Sequence, residues 1–182
     1  MKLLFRALLS FNAVMLLIMI YFVKEKIWIP YLNACSVIVY ILLPVLLSGI
    51  CLQISGLLRT DTIEGGIRGV EMANDSYLPA YLGYFFVALS IPSSDPLTMW
   101  FVFGVLFVFT LFSQTMYYNP LFLLFGYQFY YVTKGNGMRV FIITKREIPD
   151  TKNLCFRRLK RINDFTYIDK EPKNGSGVCK GS

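Results

Sequence analysis

The sequence predicts an α-helical integral membrane protein: four transmembrane helices followed by a small cytoplasmic element that contains a β-hairpin. Three observations predict it. Apolar residues make up 55% of the 182 and charged residues only 16%, against about 25% charged in a soluble domain. The apolar excess falls in blocks approaching ~20 residues, the length that crosses a hydrocarbon core ~30 Å thick. Finally, charge is split along the chain. Residues 1–118 hold six Lys/Arg and six Asp/Glu, whereas residues 119–182 hold twelve and five, so the net +7 sits in the last third.

The first span covers about 3–23, "LLFRALLSFNAVMLLIMIYFV". Its start is too polar for a secretory signal, and no small-residue cleavage site follows the apolar run, so it reads as a retained helix. Lys24, Glu25 and Lys26 close it, and Trp28 and Tyr31 in the following turn suit headgroup depth. The second span covers about 33–58, with Pro44 inside as an expected kink. Ser48, Gly49, Ser55 and Gly56 supply small residues for close helix approach, although their spacing is not GxxxG.

A polar segment, 59–76, separates the second and third spans and reads as a solvated loop with at most a short helical turn. Its "GGIRG" lacks the Gly-Lys-Ser/Thr ending of a phosphate-binding loop and follows no strand, so nucleotide binding has little support. The third span is about 77–91, stopped by the tight turn "PSSDP". The fourth is about 97–118, with an aromatic wall that suits lipid or helix packing rather than a cofactor. These elements make 1–118 the transmembrane domain. With the N-terminus inside, Lys2, Arg6, Arg59, Arg68 and the basic tail all lie on the cytoplasmic side, and only Lys24 and Lys26 fall outside. Both termini are therefore expected in the cytoplasm.

Asn119-Pro120 ends the fourth helix, because proline disfavours helix in the residue before it. "PLFLLFGYQFYYV" is too short for another span and reads as an interfacial helix or turn leading into a strand, with a re-entrant segment as the alternative. "YQFYYV" and "MRVFIIT" around the turn "KGNG" form a hairpin. Beyond it, "FRRLKRI" reads as a basic helix, "FTYID" as one more strand and "KEPKNGSGVCKGS" as a flexible tail. Residues 119–182 thus form the interfacial segment, hairpin and basic tail.

Chemistry is sparse. The chain has no histidine and no CxxC, which excludes His-based acid catalysis and Ser-His-Asp triads and disfavours zinc. The four cysteines suggest no disulfide framework. No cofactor or metal is expected, and the spans lack the acidic or lysine residues of proton relays. Two groups of residues remain. The basic residues Arg139, Lys145, Arg146, Arg157, Arg158, Lys160 and Arg161 read as a surface for anionic lipid or an acidic partner; basic and aromatic residues interleave there, but no nucleic-acid-binding motif is present. Asn12, Ser48, Gly49, Gln53 and Gln114 read as helix packing or, in an oligomer, as the lining of a pore.

The stretch "YYNPLFLLFGYQFYYV", with the short hairpin and basic tail after it, resembles the KwaA family, the four-helix membrane subunits of the bacterial Kiwa anti-phage system. The layout matches over most of the chain. The resemblance implies a non-enzymatic sensor in the bacterial inner membrane, assembled as a homo-oligomer, expected to be a tetramer. It implies a cytoplasmic effector resembling KwaB, which acts on phage DNA, so that DNA is met only through the partner. The basic residues named above would dock that effector. A small homo-oligomeric channel is the alternative reading.

Overall fold

The structure is a computed structural model that describes residues 2–63, 67–74, 78–112, 119–148 and 154–171. Two compact units emerge. One comprises 6–51 and 76–121; the other comprises 1–5, 52–75 and 122–182.

The helical unit contains α1 (Lys2–Lys24), most of α2 (Ser36–Ile54), α3 (Leu78–Ser90) and α4 (Pro96–Phe112). Short 3-10 turns at Asn33–Cys35 and Ser55–Leu57 flank α2. Two segments, Leu3–Lys24 and Asn33–Leu57, are long and apolar enough to cross a membrane. By contrast, the 13 residues of α3 and 17 of α4 reach about 20 and 25 Å, short of a ~30 Å hydrocarbon core. The expectation of four spans thus holds for two helices by length and composition, and residues 113–118 lie outside those described.

Helix ends follow local chemistry. α1 stops in a Schellman arrangement: Lys26 takes a positive φ of 52°, while Ile27 N–H reaches the Phe22 carbonyl and Lys26 N–H that of Val23. α4 starts on Asp95, whose carboxylate accepts the Thr98 N–H at 3.1 Å and the Thr98 hydroxyl at 2.6 Å, with Pro96 at the first helical position. Those bonds hold the Asp95 carboxyl below its ordinary pKa.

The core of this unit joins three helices: Val14, Leu17, Ile18 and Tyr21 of α1 meet Ala88 and Ile91 beside α3 and Met99 and Phe103 of α4. Phe11 packs edge-on to Phe103, which stacks on Phe107. α2 contributes nothing to that cluster. Pro44 sits inside the helix, which continues across it, and Ile41 and Leu46 remain 61% and 65% exposed.

The second unit holds a six-stranded sheet: β1 (Thr60–Ile63), β2 (Ile67–Met72), β3 (Gln128–Lys134), β4 (Arg139–Thr144), β5 (Phe156–Arg161) and β6 (Thr166–Asp169), in the order β1-β5-β6-β4-β3-β2. β4 and β6 run parallel and the other paired strands antiparallel. The β3–β4 hairpin turns at Gly137, φ 83°, as "KGNG" predicts. A short helix, α5 (Leu121–Leu124), precedes β3 and is closed by Gly126 at φ 74°.

Three sequence expectations differ from the structure. The segment 59–76, expected as a solvated loop, supplies both β1 and β2. "FRRLKRI", expected as a basic helix, is strand β5. The cysteine spacing pointed to no disulfide framework, yet Cys155 is disulfide-bonded, while Cys35 and Cys51 are free.

Covalent geometry dictates the sheet's curvature. β1 and β2 are the two edges, yet Ile63 and Ile67 are four peptide links apart and hence at most ~15 Å. Six flat strands would separate their edges by about 24 Å. The sheet is therefore rolled, and one core fills its inside: Ile63, Val132, Ile142, Phe156, Leu159 and Tyr167 are all buried there, with Ile67 and Val70 packed against them.

Candidate docking surface and polar cores

The seven basic residues singled out in the sequence fall into different environments. Arg146 is buried, 3% exposed. Its Nε donates to Asp169 Oδ2 at 2.8 Å and its Nη1 lies 2.8 Å from Glu171 Oε2. The guanidinium lies 4.7 Å over the Phe156 ring. Thr144 completes the group by donating its hydroxyl to Asp169 and accepting the Arg146 N–H. This network ties the ends of the parallel strands β4 and β6 together, and it removes Arg146 from any docking surface.

Lys160 and Arg161 are also engaged. Lys160 Nζ donates to the Leu58 carbonyl at 2.9 Å and to the Thr60 hydroxyl at 2.8 Å, pinning the start of β1. Arg161 donates to Asp164 at 2.6 Å and lies 3.9 Å from Asp61. Arg139 pairs with Glu71 of β2 and lies 4.0 Å over Tyr131. Lys145 and Arg158 are exposed, Lys145 resting over Tyr127. The Arg157 side chain lies outside the described residues.

One basic residue escaped the sequence reading. Lys170 follows β6 and donates its Nζ to the Leu52 carbonyl, among the last carbonyls of α2 that lack a helical partner. Burial pulls its pKa down, and the charges of Lys145 and Lys160 pull it further. Those three lysines lie at the ends of β4, β5 and β6. The signal of Lys170 in the sequence is the lysine that follows "FTYID" and opens "KEPKNGSGVCKGS".

In the helical unit, Asn12 and Ser48 are buried and bonded to each other. Asn12 Nδ2 donates to Ser48 Oγ at 2.8 Å, Asn119 Nδ2 donates to the same oxygen at 3.2 Å, and Ser48 donates to the Pro44 carbonyl. Asn12 Oδ1 and Ser10 Oγ are buried without a hydrogen-bond partner. Gly49 is half-buried and Gln53 exposed, so the four described packing residues differ in environment. Gln114 lies outside the described residues. Among the described residues no group of His, Cys, Asp or Glu is arranged to hold a metal.

The family model described as "Anti-phage protein KwaA" matches residues 5–168. The chain belongs to the KwaA family. The match spans residues of both units of this KwaA member. Membership carries a role in anti-phage defence. No curated protein and no solved structure matches.

Proposed function

We propose that this KwaA member is a non-catalytic sensor and scaffold subunit of an anti-phage complex in the bacterial inner membrane. In this reading its helices lie in the bilayer as a homo-oligomer, expected to be a tetramer, and respond to phage attachment or injection. Its sheet lies on the cytoplasmic side and holds an acidic effector resembling KwaB, which makes the contact with phage DNA.

The observation that carries this reading is the composition of the sheet. β1 and β2 come from the segment between α2 and α3, and β3–β6 come from the chain after α4. A single hydrogen-bonded sheet does not straddle a bilayer. The exits of α2 and α4 and the entry of α3 therefore open to one side, as an even number of crossings requires. Arg59, Arg68 and the basic C-terminal third fall on that side, and Lys24 and Lys26 on the other, which agrees with the inside bias of basic residues. The exposed apolar face of α2 suits lipid or a second copy. The channel alternative is weakened, since the Asn12 amide N–H and the Ser48 hydroxyl bond each other within one chain, although Asn12 Oδ1 has no partner there.

The docking test follows the exposed residues rather than the whole basic set. Lys145→Glu with Arg158→Glu leaves the Arg146 and Lys160 contacts intact. Co-purification of the KwaB-like effector with the tagged full chain should fall at least tenfold, with membrane retention and oligomer mass unchanged. Full recovery of the effector would remove this surface from the docking site.

A further inference from the structure

A crevice of about 450 Å³ runs between α1, α2 and α3. Its walls include Leu16, Ile20, Ile41, Phe85 and Leu121, with Lys24 at one end. The wall follows α1 from Leu16 to Lys24, about 12 Å at the helical rise. An elongated apolar crevice of this kind suits hydrocarbon chains packed at carbon contact distances of about 4 Å. The crevice is reached from the side, since Ile41 and Phe85 are 61% and 44% exposed.

The lining is hydrocarbon except at the Lys24 end. The Tyr40 hydroxyl there is already committed to the Ile27 carbonyl. The Lys24 ammonium has three hydrogens. It donates to the Ile91 carbonyl and lies 3.9 Å from Glu25 Oε1, beyond hydrogen-bond distance. Glu25 gives its other oxygen to the Ser94 N–H. Capacity for a further acceptor therefore remains on Lys24, at the point where α1 ends and the polar turn begins. A second crevice between α1 and α2, about 470 Å³ and walled by residues such as Phe11, Leu43 and Leu46, has no charged residue in its lining.

We propose that the Lys24 crevice holds an acyl chain of a membrane phospholipid, with the lipid phosphate on the Lys24 ammonium. The proposal rests on the membrane reading above. Apolar walls with a single polar group at the mouth are the common design of lipid and small-molecule sites, where the polar group fixes orientation.

The test uses the full-length chain extracted in mild detergent, washed free of lipid, mixed with dioleoyl phosphatidylglycerol and weighed intact by native mass spectrometry. One retained lipid per chain is expected. Leu89→Trp and, separately, Ile41→Trp fill the crevice from exposed wall positions that make no polar contact, and each should lower occupancy at least fivefold. Lys24→Gln should lower it comparably, and Lys24→Arg should restore it. Absence of retained lipid, or equal retention by both tryptophan variants, overturns the proposal. So does a change of oligomer mass in those variants, which would assign the crevice to a second copy. A carbonate wash of the source membranes separates the two failures. Release of the native chain would sink the membrane reading itself, whereas a retained chain without lipid would sink the crevice alone.

Discussion

Arg146 shows how a residue of docking type becomes a residue of folding. Its charge is taken out of water, and the cost is met by two carboxylates, a hydroxyl network and an aromatic face. Removing one partner of such a buried pair costs about 3–5 kcal/mol, because the other charge is left uncompensated, whereas replacing both by apolar groups is often nearly neutral. Arg146→Met should therefore lower the stability of the detergent-solubilised chain by about 3–5 kcal/mol in denaturant unfolding. The double variant Arg146→Met with Asp169→Leu should recover part of that loss, with Glu171 still left to solvent at its partly exposed position. Equal losses in the single and double variants would mean that the network is not a closed unit.

Ser48 belongs to the scale of elements, because it gathers contacts from α1 and from the Asn119 turn onto α2, which adds no residue to the apolar cluster of α1, α3 and α4. Its oxygen accepts two amide donors and donates once. Ser48→Ala leaves both donors without their acceptor, and interhelical polar contacts of this kind in membranes are worth about 0.6–2 kcal/mol. A loss in that range is expected in thermal unfolding of the detergent-solubilised chain. Asn12→Leu should cost less, since it also removes the buried, unpartnered Oδ1. If Asn12→Leu proves the more damaging, Oδ1 has a partner that a single chain does not supply. At this same scale the sequence was partly legible. The apolar runs, the Asn119-Pro120 break, the "KGNG" turn and the strand "FTYID" declare themselves through length, proline and period. β5 does not, for a physical reason. A bulge sets Asp61 opposite Leu159 but Ile63 opposite Phe156, so the buried residues Phe156, Leu159 and Ile162 recur every three positions and imitate a helix. β1 and β2 were hidden because an edge strand of four to six residues, rich in charge and glycine, looks like a loop until its partner from 58 or more residues away is known. Arg146 was likewise unreadable, since only tertiary contacts bury it.

For the whole molecule, the two free cysteines offer a direct reading of topology. Cys35 is exposed in the turn between α1 and α2, and Cys51 is buried. In the proposed topology the Cys35 turn lies outside and the hairpin tip at Asn136 inside, the arrangement that the inside bias of basic residues favours. One observation pulls the other way. Cys155 is disulfide-bonded, and a reducing cytosol disfavours disulfides. A membrane-impermeant maleimide applied to intact spheroplasts decides between them. Cys35 should label in intact cells, Cys51 should stay protected, and a cysteine placed at the hairpin tip by Asn136→Cys should label only after permeabilisation. The reverse pattern would turn the sheet to the outside, keep the disulfide in an oxidising compartment and remove any cytoplasmic effector from its reach. Labelling of neither site before permeabilisation would instead mean that the turn after α1 does not reach the outer face.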